Sequence, residues 1–179
     1  MKKYALLLLV LIFPYVFITY IAASIIQHPY ADAIFMNNLL KMLILLTFLF
    51  TISLIAAAVT VLLCVIRKYE PSETMRINLV IKVVHTPAYI AFIAATVYCL
   101  SPQATSFSAI LAGVLLSAAL FTIMTNAITG VAGIIRAKAE NKISIVGAVL
   151  GVIMQFVFFL DVLSATALYL KVKNNPHGR

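Results

Sequence analysis

The sequence predicts an all-α fold: a polytopic membrane helix bundle of about five transmembrane helices, in one domain spanning residues 1–179, with a cytoplasmic N-terminus. Composition is the first reason. Of 179 residues 64% are hydrophobic and 10% charged, with a mean hydropathy of +1.13, whereas a soluble domain carries about 25% charged residues. Such a chain would expose more apolar surface than water tolerates. The second reason is distribution. Apolar residues fall in long blocks, as in membrane spans, and runs such as Leu6 to Val10 and Leu43 to Leu46 are apolar on every face, unlike the alternation of barrel strands. Third, the Lys and Arg residues behind the formal charge of +8 sit mainly at block ends. That pattern fits topology and lipid headgroup contact; no basic run interleaved with aromatics suggests nucleic acid.

Five blocks are long enough to span: 4–26, 42–66, 77–100, 107–135 and 143–170, since about 20 helical residues cross the hydrocarbon. The first follows Met1-Lys2-Lys3 and contains Pro14, a kink site. It is like a signal peptide, with Ala22-Ala23-Ser24 as a cleavage-like site, but it exceeds the roughly 7–15 apolar residues of a signal core and reads as a retained span. The first turns of the third block fit the interface as well as the hydrocarbon. The fourth and fifth blocks exceed a minimal span, which implies tilt or protruding ends. The connections are short: 27–41 with Pro29, 67–76 with Pro71, 101–106 with Pro102 and 136–142. None could hold a second domain.

With the N-terminus inside, Lys2, Lys3, Arg67, Lys68, Arg76, Lys82, Arg136, Lys138 and Lys142 fall on the cytoplasmic side, against Lys41, Lys171, Lys173 and Arg179 outside. Nine against four favours this orientation. Tyrosines agree, with Tyr4 and Tyr69 at the inner face and Tyr20, Tyr98 and Tyr169 at the outer. One conflict remains: the basic tail around Lys171 and Lys173 is assigned outside. A re-entrant hairpin in the fifth block would bring that tail inside, and this alternative stays open beside the single span.

Catalytic chemistry finds little support. No phosphate-binding or dinucleotide-binding glycine loop, metal-spaced cluster or Cys-x-x-Cys is present. Cys64 and Cys99 lie near opposite ends of antiparallel spans, about 30 Å apart, beyond the roughly 7 Å that a disulfide allows. Cys99 and His85 share a face but lie about 21 Å apart along the axis, out of hydrogen-bond reach. One deep carboxylate cannot form an acid–base dyad. No catalytic residue, cofactor or metal is therefore expected.

The polar residues inside the blocks are more informative. Asp161 is the only acid deep within one, and must be paired, neutral or near water. Gly147, Gly151, Met154, Phe158, Asp161, Ala165 and Leu168 follow a 4-3 spacing, one packing seam opened by a Gly-x-x-x-Gly pair. Asp161 then faces a neighbouring helix, either as interhelical hydrogen-bonding glue, the preferred reading, or as an ion, proton or substrate contact. In the fourth block Thr122, Thr125, Asn126, Thr129, Gly130 and Gly133 form one polar, small-residue stripe. Threonines bonding their own helix explain it most simply; a polar groove lining is the sharper reading. Asn126 is the expected partner of Asp161. A third stripe joins Lys82, His85, Tyr89, Phe92, Thr96 and Cys99, with Lys82 snorkelling to the inner headgroups and His85 as scaffolding beside Thr86-Pro87. Gln155 lies off the seam, aimed at a different neighbour.

The segment Lys82-Val83-Val84-His85-Thr86-Pro87-Ala88-Tyr89 resembles the Lys-x-x-His-x-Pro-Ala-Tyr segment of a family of small, uncharacterised multi-spanning membrane proteins of Gram-positive bacteria. Thr129 to Gly133 and Gln155 to Ala165 are similar to two further segments of it. The resemblance covers the second half of the chain and implies no activity.

Three functions compete, the last a membrane enzyme that only a cofactor or lipid substrate bound between the stripes would revive. Small-residue seams and short loops favour a non-enzymatic helix-packing subunit or accessory module of a bacterial cytoplasmic membrane. Its expected partners are the lipid bilayer and either a second copy or another membrane protein, not nucleic acid. A small transporter or channel component is the alternative, with Asp161, Asn126, Thr125, Thr129, His85, Lys82 and Tyr89 around a polar groove.

Overall fold

A computed structural model describes residues 6–27, 32–101, 106–157 and 160–174. Among these the chain forms six helices and no strand: α1 (Leu7–Gln27), α2 (Asp32–Ile66), α3 (Pro71–Cys99), α4 (Ser106–Ala139), α5 (Ile145–Met154) and α6 (Leu160–Asn174). Three segments are long and apolar enough to cross a membrane: Asn38–Ile66, Pro71–Cys99 and Ser108–Ala139. Lys2, Lys3, Tyr4, Pro29, Pro102, Phe158 and Arg179, all used in the sequence argument, lie outside the described residues.

The helix limits follow local chemistry. α3 starts at Pro71, six residues before the expected block, because proline at the first helical position loses no hydrogen bond and arrives with helical φ. α2 ends on Lys68 at φ 50°, with Tyr69 N–H donating to Cys64 C=O at 3.1 Å and Lys68 N–H to Val65 C=O at 3.3 Å. α4 ends the same way on Asn141 at φ 57°, with Lys142 N–H reaching Ala137 C=O at 2.9 Å. Both are left-handed Schellman stops that satisfy carbonyls the helix end would otherwise leave bare. They make the turns tight and the neighbouring helices antiparallel. α2 begins ten residues before its expected block and takes in Asn37, Asn38 and Lys41.

α4 is the central helix and packs on all five others. At one end of the bundle Phe13, Phe17, Met42, Phe92 and Leu115 form a core joining α1 to α4. Towards the other end Leu7, Ala57, Cys64, Ile81 and Ala132 pack together, and Met75, Ile134, Ile143 and Val172 bind α5 and α6 to the bundle. Cys64 and Cys99 are free thiols in different clusters.

The fifth block departs from a single span. It breaks after Met154, and α5 and α6 fold back on each other as an antiparallel hairpin. Near the open end Gly147 faces the Lys171 ammonium, midway Gly151 faces Leu168, and at the tip Gln155 Nε2 reaches Ser164 Oγ at 3.5 Å. The seam from Gly147 to Leu168 is therefore not one helix face. Lys171, Lys173 and Tyr169 are placed beside Glu70, Arg76 and Lys138 rather than at the far end. This corrects the outer assignment of the tail and removes its charge conflict. Arg67, Lys68, Arg76, Arg136, Lys138, Lys142, Lys171 and Lys173 now share one end, with Lys41 at the other.

Nothing in the sequence of the break is a helix breaker; residues 155–160 contain neither Gly nor Pro. The physical reason lies in Asp161. By starting a helix there, the chain places a carboxylate at the positive end of α6, where Oδ1 accepts the Val162 N–H at 2.8 Å. The turn itself is held by short-range bonds, Gln155 N–H to Val152 C=O at 3.1 Å and Phe156 N–H to Ile153 C=O at 3.2 Å.

Candidate functional site

Midway along α3 a row of polar side chains is buried between the apolar clusters. Asn78, Lys82, His85 and Tyr89 are spaced 4, 3 and 4, so one face of α3 carries all four. Lys82 lies eleven residues into the helix, about 16 Å along its axis. Opposite stand Asn126 and Thr129 of α4, while Asp161 and Ser164 enter from α6.

Lys82 Nζ donates to Asp161 Oδ2 at 2.8 Å, with the two side chains 0% and 1% exposed. Two expectations change here. Lys82 does not reach headgroups; it is too deep, and an opposite charge beside it is a better solution than stretching. Asp161 is not bonded to Asn126, because the hairpin delivers it to α3.

Asn126 instead serves α3. Its Nδ2 lies 2.8 Å from His85 Nδ1 and 2.5 Å from the Tyr89 hydroxyl, and an amide nitrogen has a hydrogen for each. His85 Nε2 lies 3.1 Å from the Leu11 carbonyl. A carbonyl only accepts, so Nε2 carries the proton, while Nδ1 faces both ends of the Asn126 amide, with Oδ1 at 3.1 Å. The imidazole is thus bonded through both nitrogens, between α1 and α4. Leu11 and Val84 each lie three residues before an intrahelical proline, Pro14 and Pro87. Proline removes a helical donor and spreads the turn before it. Each of these turns receives a donor from the other helix: His85 to Leu11, and the Tyr15 hydroxyl to the Val84 carbonyl.

The threonines divide. Thr122 and Thr125 bond carbonyls of their own helix, as the simpler reading expected. Thr129 also bridges to Asn78 Oδ1 at 3.1 Å. Asn78 escaped the sequence reading although it continues the Lys82–His85–Tyr89 spacing by one turn, and Tyr15 and Ser164 carried no signal.

The glycines differ in role. Gly133 lets the start of α3 approach, with Met75 Cγ 2.9 Å from where a Cβ would stand. Gly130 makes room for the Gln155 amide, whose Cδ would be 2.8 Å from such a Cβ. Gly151 is packed by Leu168 and Ile134 side chains. Gly147 meets only Ser144 Oγ at 3.2 Å and Lys171 Nζ at 3.9 Å, so no neighbouring backbone needs it small. Gln155 is 1% exposed, and its Oε1 is the one buried side-chain polar atom without a partner among the described residues.

Chemically the row is a set of paired groups. None of the three cavities described is lined by Lys82, His85 or Asp161, and no metal-binding cluster is found among the described residues. Comparison with family models, curated proteins and solved structures found no match to this chain.

Proposed function

We propose that this protein is a non-enzymatic membrane module of a bacterial cytoplasmic membrane, in which the polar row clamps a re-entrant α5–α6 hairpin onto a four-helix bundle. The observation that carries this reading is the Lys82–Asp161 pair, fully buried and lining none of the three cavities described. A transported ion or substrate needs a route to its site; a clamp needs the reverse. The eight basic residues gathered at one end support a cytoplasmic placement of that end.

A second reading is a small transporter component. It is favoured by a helix that starts at mid-depth beside a charge, an arrangement used where broken helices line transport sites. Liposome flux with the purified chain separates the two. The clamp reading expects no flux across a panel of monovalent ions, protons and small metabolites. Flux that vanishes in Asp161→Asn while the bundle stays folded would replace it with the transporter reading.

A further inference from the structure

We propose that the basic end of the α4–α5 junction binds one anionic phospholipid, headgroup and acyl chain together. Two adjoining features carry this. The first is a cavity of about 680 Å³ at the basic end, lined by Lys138, Lys142, Lys171, Asn141, Ser144 and Asn174. Among its lysines only Lys142 is committed to a carboxylate, Glu140 at 3.0 Å. Lys138 and Lys171 have no such partner among the described residues. The cavity opens beside the first turn of α5, whose Ser144 cap bonds Gly147 N–H at 3.1 Å, so the helix dipole adds to the positive field.

The second feature is an apolar groove of about 510 Å³ between α4 and α5, walled by Ile134, Ile135, Val149, Val152 and Ile153. It begins at Lys138, the residue it shares with the basic cavity. Ile135, Val149 and Ile153 stay about half exposed along it. A groove that is greasy along its length and cationic at its end matches an amphiphile with an anionic head. A free phosphate would use only the cavity, and a neutral lipid only the groove. Basic pockets between spans at the cytoplasmic face are where anionic headgroups dock. The assignment rests on the bundle residing in a bilayer, not on the clamp.

The test uses the full chain purified in detergent, titrated with phosphatidylglycerol or phosphatidylcholine and read by native mass spectrometry. One phosphatidylglycerol per chain should bind at least tenfold more tightly than phosphatidylcholine. Lys138→Gln with Lys171→Gln should abolish that preference, and Val149→Trp should weaken binding with all lysines in place. Lys41→Gln, at the opposite end, should change nothing. Should Val149→Trp disturb folding by circular dichroism, Ala148→Leu fills the same groove more gently. Equal binding of the two lipids, equal loss in Lys41→Gln, or full competition by glycerol 1-phosphate would overturn the site. A chain that stays monodisperse without detergent would instead overturn membrane residence itself.

Discussion

Lys82 and Asp161 stand 79 positions apart in the chain and 2.8 Å apart in space, sealed from solvent on both sides. They join α3 to a helix that starts in mid-bundle, and they explain why that helix starts where it does. Removing one partner leaves an uncompensated charge, which costs about 3–5 kcal/mol, whereas replacing both by apolar residues is often near neutral. Lys82→Leu and Asp161→Leu should each lower thermal stability strongly. The double variant should recover most of the loss, and a melt in detergent measures all three. Additive losses in the double variant would mean that the pair does not act as a unit.

The hairpin makes a topological prediction. In a background with Cys64 and Cys99 replaced by Ala, Asn141→Cys and Lys173→Cys should label from the same side of sealed vesicles. A single fifth span would place them on opposite sides, and labelling of Lys173→Cys from the side of Lys41 would refute the fold-back.

Gly130 and Gln155 are coupled. A Cβ on Gly130 would stand 2.8 Å from Gln155 Cδ and 3.1 Å from Asn78 Nδ2, and overpacking of this kind costs about 1–3 kcal/mol. Gly130→Ala should therefore destabilise, and much less so when combined with Gln155→Ala. Gln155→Met alone should be neutral or stabilising, because Oε1 is buried without a partner. Chemical denaturation of the parent chain, Gly130→Ala, Gln155→Ala and the double variant gives the coupling.

The Gly-x-x-x-Gly pair should separate on mutation. Gly151→Leu meets Leu168 Cδ1 at 2.9 Å and Ile134 Cδ1 at 3.3 Å already at its Cβ, and should disrupt the hairpin. Gly147→Leu has room beyond Ser144 Oγ and should lose less than about 1 kcal/mol, within the range of surface changes. Retention of the folded fraction on size-exclusion in detergent is the measurement.

Much of the bundle was legible because block length and block-end charge report directly on spans. α2, α3 and α4 each match one apolar block, and the 4-3 spacing of Lys82, His85 and Tyr89 identified a true buried face. The break before Leu160 was not legible, because its cause is tertiary: no Gly or Pro marks it, only an acid that needed a partner on another helix. The conflict over Lys171 and Lys173 was the one trace of it. Pairing Lys82 with Asp161 was within reach, since the two are the most deeply buried opposite charges among the described residues. The assumption that a lysine eleven residues into a helix snorkels concealed it. Leu11 and Val84 contribute only carbonyls, which no side-chain pattern reveals.

The order of the clamp's halves along the polypeptide matters for synthesis. The ammonium of α3 is synthesised 79 residues before its counter-charge on α6. A nascent chain stalled before α6 would hold a lone cation among acyl chains, a state costly enough to be extruded or degraded. The buried cation of α3 is thus neutralised only once α6 has been made and folded back against it.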